Sequence, residues 1–96
     1  MSHYFKIGKL AASTGLKGEL VLQHNLGKKT TLKGLEAIFL EEKKDSFIPY
    51  FLESAKIRNH NETVIKLEGI DIVETARKLT PREVWIEEAD FKKFAA

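Results

Sequence analysis

The chain has 96 residues, 43% hydrophobic and 31% charged, with a net charge of +2, which bounds it to one domain with a modest core. It contains no cysteine, which excludes a disulfide framework, a thiolate metal site and a cysteine nucleophile, and fits a reducing cytosol. No apolar run approaches the roughly 20 residues of a membrane-spanning helix and the N-terminus lacks a signal-peptide core, so a cytoplasmic protein is expected.

Charge is unevenly spread. Up to Leu35 there are six lysines against one acid, Glu19, whereas the remainder holds ten basic and thirteen acidic residues. A positive first third can form a phosphate-facing patch, or it can be a plain solvated lysine surface.

In chain order, Met1–Tyr4 is a lead-in. A first strand is expected over Tyr4–Ala12, with Phe5 and Ile7 on one face, Lys6 on the other, and Gly8 marking a bulge or tight bend. Thr14-Gly15-Leu16-Lys17-Gly18 then connects to a second strand over Glu19–His24. The stretch from Asn25 to Gly34 is polar and lysine-rich, and reads as a loop with room to move. A third strand is expected over Leu35–Glu41, and Glu42–Ser46 as a charged turn. A fourth runs from Phe47 toward Arg58, with Pro49 arguing for an edge or a bulge because it cannot donate to a ladder. Phe51, Ala55 and Ile57 share one parity there, and Tyr50, Leu52 and Ser54 the other.

Asn59-His60-Asn61 reads as a tight turn, since asparagine tolerates left-handed backbone. A fifth strand covers Glu62–Leu67 and ends at Gly69. Asp71 and Glu74 have the spacing of a capping box, and Ile72, Ala76 and Leu79 form one helical stripe ahead of Thr80-Pro81. A sixth strand over Glu83–Glu87 puts Val84 and Ile86 on one face and Trp85 on the other. From Glu88 to Ala96 the chain trails off in mixed charge. The expected fold is therefore mostly β: a small six-stranded antiparallel barrel with one short helix.

Catalytic chemistry finds little support. His3, His24 and His60 are scattered, without the paired spacing of a metal site. The acids sit in turns and strand ends, and no serine has the nucleophile-elbow context. Trp85 can stack a base, but an alternating-strand tryptophan is more often core or interface. A binding module is the better reading.

Gly15-Leu16-Lys17-Gly18 admits three readings. One is a plain turn. Another is the GXXG clamp of a KH domain, which joins two helices, whereas these flanks are strand-like. A P-loop is excluded because no GxxxxGK[ST] occurs. The third is a family resemblance. Ile7-Gly8-Lys9-Leu10 followed by Gly15-Leu16-Lys17-Gly18-Glu19-Leu20 is similar to the opening of the RimM ribosome maturation factor family. Val64-Ile65-Lys66-Leu67-Glu68-Gly69-Ile70-Asp71, then Glu74–Leu79 and Glu83–Ile86, resembles the second half of that family's N-terminal domain. Two departures are visible: Thr14 where the family commonly has histidine, and Thr80-Pro81 after Leu79 where it usually has glycine.

The resemblance implies a translation-factor-like barrel and a non-enzymatic factor without cofactor or small-molecule substrate. It implies binding to the immature 30S small ribosomal subunit, with assistance to head assembly and 16S rRNA processing. The implied partners are the small ribosomal subunit, ribosomal protein uS19 and 16S rRNA. Relatives continue into a PRC-type barrel, so the chain is expected to be an isolated N-terminal domain. From charge and exposure, the contact residues are expected to be Lys9, Gly15, Leu16, Lys17, Gly18, Lys28 and Lys29. The alternative is a barrel that docks on a ribosomal protein without touching RNA.

Overall fold

Six runs of alternating or fully apolar residues form strands and bury their aliphatic side chains in one interior. The computed structural model describes residues 3–94. The strands are β1 (Tyr4–Thr14), β2 (Glu19–His24), β3 (Ala37–Lys43), β4 (Ser46–Asn59), β5 (Glu62–Leu67) and β6 (Glu83–Glu87). Two short helices are α1 (Val73–Arg77) and α2 (Glu88–Phe94). The strands close into a barrel in the order β1-β2-β5-β4-β3-β6, and all six neighbouring pairs are antiparallel. The expected six-stranded antiparallel barrel is therefore the fold.

Closure depends on β1. Its 11 residues serve two neighbours, β6 along the first half and β2 along the second. Register shifts between Lys6 and Gly8 and between Leu10 and Ala12 bend it around the core. The bulge suggested by Gly8 is thus present. Ile7 and Leu10 are fully buried, while Phe5 lies 40% exposed and stacks on Phe91 of α2 at 4.9 Å.

Pro49 pairs with Phe39 across β3–β4. The Leu52 N–H donates to Glu36 on the β3 side, and the Phe51 carbonyl accepts from Glu68 on the other. By alternation the Pro49 nitrogen faces away from β3, on the side where β4 pairs with β5 only from Leu52 onward. Proline therefore removes a donor where no acceptor waits.

Five expectations need correction. The parity read along β4 breaks at a bulge between Leu52 and Ser54. Tyr50, Leu52 and Ala55 consequently pack on the core together, while Ile57 stays 45% exposed. Asp71 does not cap α1: the N-cap is Ile72, with no side-chain cap bond, and Asp71 instead meets Lys66 at 2.8 Å. Asp71 stands one residue before the N-cap, and its carboxylate pairs with the ammonium of Lys66 in β5 instead. Ile72, placed in the buried stripe, is 52% exposed, while Ala76 and Leu79 are buried. The tail from Glu88 is a second helix rather than a trailing end; Ala95 and Ala96 lie outside the described residues. The turn at Asn59–Asn61 forms without left-handed asparagine. The Asn59 side chain accepts from the Asn61 N–H at 3.1 Å and donates to Glu62 at 2.7 Å, an Asx turn.

The core is aliphatic throughout. Its buried hydrophobics are leucine, isoleucine, valine and alanine, with no aromatic residue among them. Leu32, from the loop expected to be polar, and Leu35, expected to open the third strand but lying before β3, are buried with the core. The loop is tied down by the Thr63 hydroxyl donating to the Thr30 carbonyl at 2.7 Å and by the Leu32 N–H donating to the Thr30 hydroxyl at 2.9 Å.

His24 is the buried polar residue at the end of β2, 4% exposed. Its Nδ1 accepts from the Leu26 N–H at 3.3 Å, and its Nε2 has no partner. Burial, and secondarily the charge of His60, lowers its pKa. A histidine kept neutral in the fold charges more readily when unfolded, so its contribution to stability is complete above the unfolded pKa and is lost as pH falls through the folded one. The unfolding free energy, followed by urea denaturation between pH 7 and pH 4, is therefore expected to fall by up to about 1.4 kcal/mol per pH unit per proton taken up. His24→Asn keeps an acceptor for Leu26 and should flatten that slope; an unchanged slope would show that other groups carry it.

Candidate functional site

Two glycines shape the hairpin between β1 and β2 for different reasons. Thr14 pairs with Glu19, so Gly15-Leu16-Lys17-Gly18 is a four-residue connection. Gly15 has φ +69°, and a Cβ there would meet only the Glu19 carboxylate at 3.8 Å, an ordinary contact, so this glycine serves the turn alone. Gly18 has φ +84° and is buried; a Cβ there would lie 2.5 Å from the Ile70 carbonyl oxygen and 3.1 Å from the Ile72 nitrogen. The hairpin is therefore pressed against the segment that leads into α1.

That segment is itself anchored. Ile70 is buried in the core. Lys66 donates to Asp71 at 2.8 Å and to the Leu67 carbonyl at 3.0 Å, and lies 3.6 Å from Glu53. The hydrogen bond to Asp71 holds the Lys66 pKa above its ordinary value, so the lysine stays charged across the working range. The chain of contacts runs from β4 and β5 through Lys66 to Asp71, and from there to the back of the hairpin.

The front of the hairpin is open. Leu16 is 84% exposed and Lys17 is exposed beside it. Ile72 adds a second exposed apolar side chain from the segment that Gly18 touches. A basic tip flanked by two apolar residues, on a backbone fixed from behind, is a preformed contact surface. Sequence reading missed Ile72, because a helical stripe assigned it to the core; only the N-cap position turns it outward.

The other expected residues are placed elsewhere. Lys9 pairs with Gln23, near the far end of β2. It borders a groove of about 500 Å³ beside Gly8, lined also by Lys6, Asn25 and Glu83. Lys6 is held by Glu83 at 2.9 Å. Lys28 and Lys29 are exposed in the loop that follows His24. Glu19 and His24 are opposite ends of β2, roughly 17 Å apart for a strand of this length. Lys17 therefore sits at one end of the barrel, and Lys28 and Lys29 at the other, with Lys9 toward the latter. The early positive charge forms two groups rather than one patch. Among the described residues, Lys9, Lys17, Lys28 and Lys29 make no ion pair.

Among the described residues no group of three His, Cys, Asp or Glu side chains is arranged to hold a metal ion, and no helix is long and apolar enough to cross a membrane.

Comparison with known proteins gives a consistent picture. The model of the RimM N-terminal domain matches residues 5–91. The ribosome maturation factor RimM of Parabacteroides distasonis is 32% identical over 82 residues, covering 84% of this chain and 46% of that protein. That of Azobacteroides pseudotrichonymphae is 30% identical over 83 residues, with 84% and 46% covered. A crystal structure of a putative 16S ribosomal RNA processing protein RimM from Pseudomonas aeruginosa superposes with a TM-score of 0.72 at 22% identity, covering 91% of this chain and 52% of that one. The chain spans about half the length, or less, of the proteins it matches.

Proposed function

This chain belongs to the RimM N-terminal domain family, and from that premise we propose that it is the N-terminal barrel of a ribosome maturation factor. It binds the immature 30S small ribosomal subunit in the cytoplasm and assists head assembly and 16S rRNA processing without catalysing a reaction. The small subunit, with uS19 and 16S rRNA as the components in reach, is its partner. One observation carries the reading: the family match spans the hairpin whose tip presents Lys17 to solvent on a backbone fixed by Gly18.

The mechanism is preferential binding. A barrel whose contact loop is already shaped loses little conformational freedom on docking. It stabilises whichever arrangement of RNA and protein it fits better, by the difference in affinity between the two. Lys17 supplies charge to a phosphate, and Leu16 and Ile72 supply apolar contact beside it. Lys9, Lys28 and Lys29 add a second basic region some distance along the barrel.

Binding of this chain to immature small subunits, followed by sedimentation at low and moderate salt, tests the proposal. Affinity is expected to fall steeply with salt. Lys17→Glu should weaken binding about tenfold and reduce the log–log salt slope by roughly one, the signature of one lost phosphate contact. Binding indifferent to both salt and Lys17→Glu would move the contact to a ribosomal protein with no RNA involved. No binding at low salt would sink the proposal for this domain.

A further inference from the structure

The aromatic residues of this barrel are largely on its outside. Tyr4 stacks on Phe47 at 4.3 Å and meets Phe39 edge-on at 4.9 Å, and Phe47 meets Trp85 edge-on at 5.3 Å. Phe39 lies directly between Pro49 and Trp85 in the sheet, and Phe51 follows two residues beyond Pro49 at 49% exposure. A small barrel with an aliphatic core needs none of these rings for its interior. The indole N–H of Trp85 is buried in this cluster without an acceptor, an uncompensated cost in the isolated fold.

Beside the rings runs a groove of about 500 Å³, floored by Phe39, Pro49 and Phe51. Its walls carry Glu36, Glu87 and Asp90, with Lys93 as the single base, 3.2 Å from Asp90. In the strand order, β3 and β4 lie across the barrel from β1 and β2. The groove therefore faces away from the hairpin that bears Lys17.

We propose that this acidic-walled aromatic groove docks an arginine-bearing segment of a basic protein. Arginine fits both halves of the site: its guanidinium plane stacks on aromatic rings, and its fork of donors matches a carboxylate. The same walls repel phosphate, which argues against RNA here. The inference rests on the ribosomal reading only for its source of partner, since the proteins of the small subunit are rich in arginine. It assigns two faces to one barrel, a basic tip for RNA and an acidic groove for protein.

Trp85 is the only tryptophan and lies in the cluster, so its fluorescence reports on this face. Purified small-subunit proteins, titrated one at a time into the chain, form the test. At least one is expected to shift the Trp85 emission, with affinity falling about tenfold or more in Glu87→Lys with Asp90→Lys and in Phe51→Ser. Both changes are at the surface, and circular dichroism checks that the barrel persists. Lys17→Glu should leave this titration unchanged. If no protein shifts the emission, or if binding ignores the groove substitutions, the proposal is overturned, whether or not the chain sediments with small subunits. A 16S rRNA fragment that shifts the emission and binds tighter after charge reversal would overturn it in favour of RNA. A shift that depends on chain concentration alone would overturn it in favour of a second copy.

Discussion

Gly8→Ala is expected to cost the barrel about 4 kcal/mol, a large share of the roughly 5–14 that a domain of this size possesses. Gly8 does not need a left-handed backbone; it needs the absence of a side chain. A Cβ there would lie 1.9 Å from the Gln23 carbonyl oxygen and 2.8 Å from the Cα of His24. Both are backbone atoms of β2, so no rotamer change relieves the clash. The strands would have to part by more than an ångström at the point where β1 crosses from one neighbour to the other, against a close-packed interior. Gly27→Ala and Gly34→Ala are the controls. Each is at positive φ with open space around it, and each should cost only about 1 kcal/mol. Urea denaturation of the three variants separates the cases. If Gly8→Ala falls in with the other two, the close approach of β1 to β2 is not what closes the barrel.

Gly18→Ala is expected to cost about 3 kcal/mol, combining a left-handed backbone with a Cβ pressed into the Ile70 carbonyl. Gly15→Ala, with a similar φ and no close neighbour, should cost about 1 kcal/mol. The functional contrast is the more informative half. The Gly18 change pushes the hairpin off the segment that holds it. Small-subunit binding should then fall about as far as in Lys17→Glu, roughly tenfold, although Lys17 is intact. Gly15→Ala should bind nearly as well as the unmodified chain. Sedimentation at a temperature where both variants remain folded by circular dichroism makes the comparison. Equal binding by the two glycine variants would mean that the tip needs no support from behind.

Much of the architecture was legible because it depends on local pattern. The alternation along Glu62–Leu67, the apolar centre of β3, and the glycine between two strand-like runs need only a period of two and a turn residue. The resemblance to the RimM family rested on the same short pieces taken in order, and the match over residues 5–91 supports it. What local pattern could not supply were the places where one residue shifts a register. The bulge after Leu52 exchanges the two faces of β4, so Ala55 packs on the core with Tyr50 and Leu52 although its position number has the other parity. Asp71 has the spacing of a cap, but Lys66 is in reach only in three dimensions. Glu88–Phe94 reads as a charged tail until Phe91 finds Phe5, 86 residues earlier in the chain, to stack against.

The sequence by itself determined the strand runs, the turns between them and the lysines of the first third. Each follows from side-chain chemistry and a fixed backbone period. Only the tertiary structure decided where those lysines stand. Residues 9, 17, 28 and 29 are neighbours in sequence, but β2 runs the length of the barrel between Lys17 and the lysines at 28 and 29. It also decided that Phe39, Phe47, Phe51 and Trp85, spread over 47 positions, share one outer face, because strand order in a closed sheet is set by which edges pair rather than by distance along the chain.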